Sequence, residues 1–325
     1  MLQSVSPENA AQRIKEHALS LGFSAVGIAR AEAVPDSIAA AYREAVAGNR
    51  CGTMSYLDRN HQLRTDPTQL LAGTRSIISV ALNYYPALRQ SPDAPQLAYY
   101  AYGKDYHKVV KRMLDKLLLF IRTEIDPEAQ GRSFADSAPI LERYWAVRAG
   151  LGWRGRSGLI VIPRKGTFFV LGELFISTLL PADSPLPFGC GQCHRCIKAC
   201  PTKALSDEGF DPLRCLSYLT IEQPGALPER EAELIGNRFY GCDTCQLVCP
   251  HNRFASPTTV EAFAPKPELF SLNYDNLSEF NEEIYQQLFA GSAVKRAGFE
   301  GLKRNAETLL RLRKREKAEN GGGEK

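Results

Sequence analysis

The stretch Cys-Gly-Gln-Cys-His-Arg-Cys-Ile-Lys-Ala-Cys-Pro, residues 190–201, carries the strongest signal in the chain. Its cysteines follow the spacing Cys-x2-Cys-x2-Cys-x3-Cys-Pro, in which three close thiolates hold one iron–sulfur cube and the fourth reaches a second cube. Structural zinc sites commonly use two separated pairs of ligands, so four cysteines within eleven residues fit zinc poorly. The run therefore predicts [4Fe–4S] clusters, with zinc or free thiols as the alternative.

A second, incomplete copy of this run ends at Cys249, which is also followed by proline. Phe239 stands where its first thiolate belongs, and Cys215 is the cysteine left to replace it. The ligand exchange of two-cluster ferredoxins then predicts two sets of four. The first set is Cys190, Cys193, Cys196 and Cys249, and the second is Cys200, Cys215, Cys242 and Cys245. The ninth cysteine, Cys51, is interpreted as a small buried or free thiol.

Length and composition place these cysteines in an ordinary folded protein. The chain has 325 residues, of which 44% are hydrophobic and 23% charged, which suits about two domains and excludes disordered and fibrous classes. A secreted disulfide scaffold would be small and would begin with a signal peptide, and the first residues resemble none. The longest apolar stretch, residues 168–180, is interrupted by Glu173 and is too short to span a bilayer. We therefore expect a cytoplasmic protein without membrane contact.

The chain divides into three predicted segments. Helices and short buried strands alternate along residues 1–180, which predicts an α/β (α+β) domain. Strands are expected at residues 25–29, 76–82, 133–135, 158–162 and 167–176, the last two as an antiparallel pair, and helices at 7–21, 36–47, 106–125 and 140–149. A proline-dense connector then opens a ferredoxin-like segment, residues 181–256, and a helical basic segment, residues 257–325, follows.

Several further stretches, taken together with both cysteine groups, resemble one known family. They are Arg-Thr-Asp-Pro at 64–67, Tyr-Gly-Lys-Asp-Tyr-His at 102–107, Asp-Ser-Ala-Pro-Ile-Leu-Glu-Arg at 136–143, Ala-Gly-Leu-Gly-Trp at 149–153, Leu-Gly-Glu at 171–173, Ser-Tyr-Leu-Thr-Ile-Glu at 217–222 and Gly-Cys-Asp-Thr-Cys-Gln at 241–246. The chain resembles the epoxyqueuosine reductases, which are cobalamin-dependent iron–sulfur enzymes of queuosine synthesis in tRNA. The resemblance covers roughly residues 10–310.

This resemblance implies a fold and a reaction. The first domain would bind cobalamin and be similar to reductive dehalogenases, and the two cubes would pass single electrons to the cobalt. The substrate would be an epoxide on a modified guanine at the tRNA wobble position, reduced to the alkene with loss of water. A reductive dehalogenase and an electron carrier without its own substrate are the alternatives.

The resemblance also implies site residues. Asp136 would be the general acid, with a pKa held high by burial or by the cofactor; the alternative is an aspartate that caps a helix beginning near Pro139. Asp136 would also contact cobalamin. Ser157, Ser217 and Thr220 would contact it too, or else finish turns and bond the backbone. No histidine is expected on the cobalt.

Positive charge gathers at the C-terminal end. The net charge is +4, and the last thirty-one residues hold ten Lys or Arg against five Glu. The cations predicted to bind tRNA phosphates are Lys295, Arg296, Lys303 and Arg304, with a solvated helix face as the alternative. The expected partners are the tRNA anticodon loop and an unidentified reductant, and the chain is expected to act as a monomer.

Overall fold

The computed structural model of the chain describes residues 6–48 and 50–321. Its strands are β1 (Ala25–Arg30), β2 (Ser76–Asn83), β3 (Gln96–Leu97), β4 (Gly131–Phe134), β5 (Trp153–Arg154), β6 (Ile160–Val161), β7 (Phe169–Ile176) and β8 (Arg238–Tyr240). The central sheet has the order β1-β2-β7-β4, and every neighbouring pair in it is antiparallel. The short strands form two further pairs, β3 with β8 and β5 with β6.

Helices surround this sheet and build the C-terminal third. They are α1 (Pro7–Ser20), α2 (Asp36–Ala47), α3 (His61–Thr65), α4 (Tyr106–Glu124), α5 (Glu142–Arg148), α6 (Arg195–Ala199), α7 (Leu216–Ile221), α8 (Glu229–Glu233), α9 (Thr244–Leu247), α10 (Tyr274–Leu277), α11 (Glu282–Phe289) and α12 (Gly298–Gly321). The predicted start of α1 is confirmed, because the Ser6 hydroxyl accepts a hydrogen bond from the Asn9 amide at 3.2 Å. Within the described residues, no helix is both long and apolar enough to cross a membrane.

The central sheet is covered on both faces, which confirms the α/β prediction. Ile78 and Leu82 of β2 face a core that also contains Leu114 of α4, whereas Ile77 faces a second core that contains Trp145 of α5. Alternate side chains of a strand point to opposite faces, so a strand covered on both sides reads as a continuous apolar run.

The predicted pairing of residues 158–162 with residues 167–176 is wrong. β6 pairs with β5, and β7 lies between β2 and β4, while Ile162 and Gly166 form an isolated bridge at the turn. β7 carries apolar side chains on both faces apart from Glu173. A strand at the centre of the sheet has both faces buried and both edges paired with neighbouring strands, which suits this pattern.

One hydrophobic core runs through all three predicted segments. It includes Ile14 from the first, Phe239 from the second and Leu302 from the third, all of them fully buried. The parallel pair of β3 and β8 adds backbone contacts between the first two segments. Asn305 of α12 is also fully buried and donates to the carbonyls of Thr220 and Phe239 at 2.8 and 2.9 Å. The boundaries at residues 180 and 256 stay a prediction.

Candidate active site and iron–sulfur region

Asp136 lies in the loop that follows β4. One oxygen of its carboxylate, Oδ2, accepts a hydrogen bond from the Tyr106 hydroxyl at 2.6 Å and lies 3.1 Å from Nε2 of His107. The side chain nevertheless remains 55% exposed. Its backbone has a φ of 54°, a left-handed conformation that costs free energy in a residue other than glycine. The surrounding hydrogen bonds therefore hold Asp136 in a conformation that presents its carboxylate to solvent.

The start of α4 positions the two partners of Asp136. Asp105 caps this helix by accepting from the His107 amide at 3.1 Å, so that Tyr106 and His107 occupy its first turn. The Asp105 carboxylate also contacts Nδ1 of His107 at 2.6 Å. Burial acts to lower the pKa of His107, but the hydrogen bonds to Asp136 and Asp105 outweigh it and raise the pKa to about 9. His107 is therefore an imidazolium at neutral pH and donates to a carboxylate on each side.

Burial does not give Asp136 the predicted high pKa, and an effect of the cofactor on this pKa stays a prediction. Burial acts to raise this pKa, but the hydrogen bonds from His107 and Tyr106 lower it below its ordinary value. The capping alternative does not hold either, because α5 begins at Glu142, its cap position is Leu141 and no side chain caps it. The hydrogen bonds from Tyr106 and His107 therefore favour the ionised form of the Asp136 carboxyl group.

Two further carboxyl groups, Glu142 and Glu173, lie behind Asp136, and the sequence reading assigned neither a role. Glu142 Oε1 accepts a hydrogen bond from the backbone amide of Asp136. Burial, reinforced by the charge of Asp136, raises the pKa of Glu142 to about 8. Glu173 of β7 is fully buried near the Ser79 hydroxyl, and burial raises its pKa well above the ordinary value. A lone carboxylate inside the apolar stretch 168–180 was the signal that could have revealed it.

Arg296 is the tRNA candidate that the structure pairs with a carboxylate. Its guanidinium donates to both carboxylate oxygens of Glu222 at 2.8 Å and lies 5.2 Å above the centre of the Tyr56 ring. The hydrogen bond to Glu222 raises the pKa of Arg296, and the negative charge of Asp136 adds to this effect. Arg296 is thus held by Glu222 while about half of its side chain, 53%, remains exposed.

The other three predicted phosphate ligands separate into two kinds. Lys295 and Lys303 are exposed. Arg304 instead donates to the carbonyls of Leu219 and Gly225 at 2.9 and 3.1 Å, and burial lowers its pKa. The prediction that Arg304 is available to a phosphate is therefore wrong, because its guanidinium already joins α12 to α7 and to the segment that follows α7.

The three candidate cofactor contacts also differ. Thr220 is fully buried, and its hydroxyl donates to the Leu216 carbonyl at 2.7 Å and accepts from the Gly241 amide at 2.9 Å, as in the alternative that it bonds the backbone. Ser157 and Ser217 are half-buried, and their hydroxyls make no hydrogen bond to another described residue. These two hydroxyls remain available to a ligand.

The eight clustered cysteines form no disulfides with one another and influence each other mostly, but not only, within the two predicted sets. Burial raises the pKa of Cys245 well above its ordinary value, and the thiols of Cys242 and Cys215 in its own set and of Cys196 in the other set add to this. Burial raises the pKa of Cys249, and the neighbouring thiols of Cys190 and Cys193 raise it further. Burial likewise raises the pKa of Cys215, with added effects from Cys242 and Cys200. The assignment of ligands to two cubes stays a prediction, which this grouping supports.

Among the residues that the structure describes, no three His, Cys, Asp or Glu side chains are close enough together to hold one metal ion. A [4Fe–4S] cube spreads its four thiolates over four iron atoms and therefore needs a wider set. In the first set, the indole Nε1 of Trp153 donates to the Cys190 sulfur at 3.4 Å, so the β5 segment packs directly on a predicted ligand.

The shared core, the cysteine sets and the carboxylate–imidazolium site define an iron–sulfur oxidoreductase. The epoxyqueuosine reductase of Escherichia coli (strain K12) is 42% identical to the chain over 310 residues, which cover 92% of this chain and 80% of the relative. The chain belongs to the epoxyqueuosine reductase family. The family model described as "Epoxyqueuosine reductase QueG, DUF1730" matches residues 64–137, and the model described as "4Fe-4S double cluster binding domain" matches residues 189–252.

Solved structures of this family share the fold. A crystal structure of epoxyqueuosine reductase with an epoxyqueuosine-modified tyrosine tRNA stem loop has a TM-score of 0.81 at 29% identity, covering 92% of this chain and 80% of that one. A structure from Bacillus subtilis, with the same coverages and identity, has a TM-score of 0.80, and its description places the loop of a catalytic aspartate outside the active site.

Proposed function

We propose that the chain reduces epoxyqueuosine at the wobble position of tRNA to queuosine. The observation that carries this proposal is the exposed Asp136 carboxylate, held by Tyr106 and His107. The preceding residue, Ala135, lies in the same hydrophobic core as Phe239 and Tyr240 of the cysteine-rich segment. The family membership of the chain and the tRNA stem loop bound by a relative support the choice of substrate.

The iron–sulfur clusters and cobalamin would supply the electrons. The chain has an iron–sulfur cluster domain, and we assign one cube to Cys190, Cys193, Cys196 and Cys249 and the other to Cys200, Cys215, Cys242 and Cys245. Cobalamin, when bound, would divide the two-electron reduction into single-electron steps at its cobalt. The unpaired hydroxyls of Ser157 and Ser217 suit the amide groups of a corrin edge, which both donate and accept hydrogen bonds.

The residues around Asp136 would supply protons. The reduction consumes two electrons and two protons, and the epoxide oxygen leaves as water. We assign Asp136 as the group that hands protons to this oxygen, and His107 as the imidazolium that returns a proton to Asp136 across their 3.1 Å contact. Arg296, Lys295 and Lys303 would bind phosphates of the anticodon stem loop.

The substitution Asp136→Asn tests this function. It keeps the side-chain shape but removes the proton-transferring carboxylate, so turnover of an epoxyqueuosine stem loop should be lost while the stem loop and cobalamin still bind. Asp115→Asn, on the exposed side of α4, is the matched control and should retain full activity. Retained turnover in Asp136→Asn would refute the proton-transfer role, and normal queuosine content in cells lacking the chain would refute the substrate.

A further inference from the structure

Two adjoining surface depressions surround part of the first cysteine set. They have volumes of about 520 and 770 Å³ and share Arg195, Lys198 and Pro250 as lining residues. The cysteines that line them are Cys190, Cys193 and Cys249. No thiol of the second set lines either depression, so a cube in the first set is the one that these depressions open to solvent.

The depressions carry one sign of charge. Their fully charged side chains are those of Arg89, Arg195, Lys198 and Arg253, all exposed, and no Asp or Glu lines either depression. We call the surface formed by these four cations the basic face. A concave surface lined by one sign of charge concentrates field lines and accelerates the approach of oppositely charged partners.

Apolar side chains accompany the cations. Leu247 lines the larger depression and is 54% exposed, and Phe254, which is 43% exposed, lies with its ring centre 4.6 Å from the Arg253 guanidinium. Exposed apolar groups beside a charged rim are the composition of protein–protein interfaces. Phosphate backbones are instead bound by cations, hydroxyls and amide groups, without a need for aliphatic surface. The basic face therefore suits an acidic protein better than RNA.

We propose that the basic face is the docking site of an acidic one-electron carrier protein that reduces the first cube. This inference rests on the proposed function, since it takes Cys190, Cys193 and Cys249 as cluster ligands. At each encounter the carrier is oxidised by one electron and the cube is reduced by one. Two encounters supply both electrons of the epoxide reduction, and the protons enter separately at the Asp136 site.

The test measures electron entry without any tRNA. The cluster-loaded full chain is mixed with reduced plant-type [2Fe–2S] ferredoxin, an acidic protein, and freeze-quench EPR separates the ferredoxin signal from that of the reduced [4Fe–4S] cube. The double variant Arg89→Glu/Arg253→Glu should lower the bimolecular rate constant at least roughly tenfold at low ionic strength and weaken its salt dependence. Arg195→Glu/Lys198→Glu provides an independent second variant.

Two controls isolate docking from cluster damage. Lys111→Glu/Arg112→Glu makes the same change of charge on exposed residues of α4 that line neither depression, and its rate should match that of the unaltered chain. Reduced methyl viologen, a small cation, should reduce every variant at least as fast as the unaltered chain.

Three outcomes would overturn the proposal. An unchanged rate of reduction by ferredoxin in both double variants, with a full cluster signal, would refute the docking site and leave the proposed function standing. An unchanged rate with weakened binding of a tRNA stem loop assigns the face to RNA. Absence of a [4Fe–4S] signal in the unaltered chain would refute the cluster assignment and this proposal with it. Failure to reduce epoxyqueuosine despite normal ferredoxin kinetics would refute only the proposed substrate.

Discussion

The substitution Trp153→Phe is expected to lower the reduction potential of the first cube. Trp153 is 8% exposed, and its indole donates to the Cys190 sulfur at 3.4 Å. A hydrogen bond to a ligand sulfur stabilises the reduced cube more than the oxidised one, because the reduced cube carries more negative charge. Phenylalanine keeps an aromatic ring at this position but has no donor.

The size of the shift follows from the net strength of one hydrogen bond. If the bond stabilises the reduced cube by about 1 kcal/mol more than the oxidised cube, its loss lowers the potential of a one-electron couple by about 40 mV. The second cube, assigned to Cys200, Cys215, Cys242 and Cys245, should keep its potential and serves as an internal reference.

An EPR-monitored redox titration measures both potentials. The only other tryptophan of the chain, Trp145, is fully buried, and its indole N–H has no hydrogen-bond partner among the described residues. Trp145→Phe is therefore the matched control and should leave both potentials unchanged. An unaltered first potential in Trp153→Phe, or an equal shift in Trp145→Phe, would show that the reasoning is wrong.

Three other predictions concern the Asp136 site and its support. The pKa of His107 is raised from 6.5 to about 9, so its pairing should stabilise the folded chain fully below about pH 6.5 and be lost as the pH rises through about 9. His107→Gln should remove this pH dependence from the melting temperature; an unchanged profile would contradict the assignment. Glu142→Ala should lower kcat at least roughly tenfold through misplacement of the Asp136 loop, whereas Glu142→Gln, which keeps an acceptor, should retain most activity; equal losses would refute positioning. Arg304→Ala should lower the free energy of unfolding by about 2 kcal/mol in denaturant titrations and leave stem-loop affinity unchanged, whereas weakened affinity would restore it as a phosphate ligand.

The parts of the site that could be predicted are those with a fixed sequence spacing. The cysteine runs predict iron–sulfur clusters because a cube needs thiolates at short, regular separations, whereas the division of the eight cysteines into two sets stays a prediction. Asp136 was predicted from a resemblance, but its ionisation could not be predicted. That property depends on Tyr106 and His107, which belong to a helix about thirty residues earlier in the chain. Glu173 stood out in the sequence as an interruption of an apolar stretch and as part of one resembling motif, and neither observation predicted its raised pKa.

The fold was predictable where local periodicity decides it and not where pairing does. The main helices and strands of the first segment follow their apolar patterns. The hairpin expected around residues 164–166 failed because strand neighbours are chosen by burial across the whole sheet, and β7 needed partners at both edges. Arg304 shows the same limit. The sequence of a basic helix does not reveal that distant backbone carbonyls accept hydrogen bonds from one of its cations.

The continuous core has a consequence for the kinetics of the chain. Electron tunnelling slows exponentially with distance. In enzymes whose redox centres lie on separate hinged domains, domain motion therefore limits the rate of electron transfer. Here Phe239 and Leu302 pack into the same core as Ile14, and Asn305 ties α12 to the cysteine region. We therefore expect the distance between the cysteine region and the Asp136 site to be set when the chain folds, so the rate of internal electron transfer should not change with solvent viscosity.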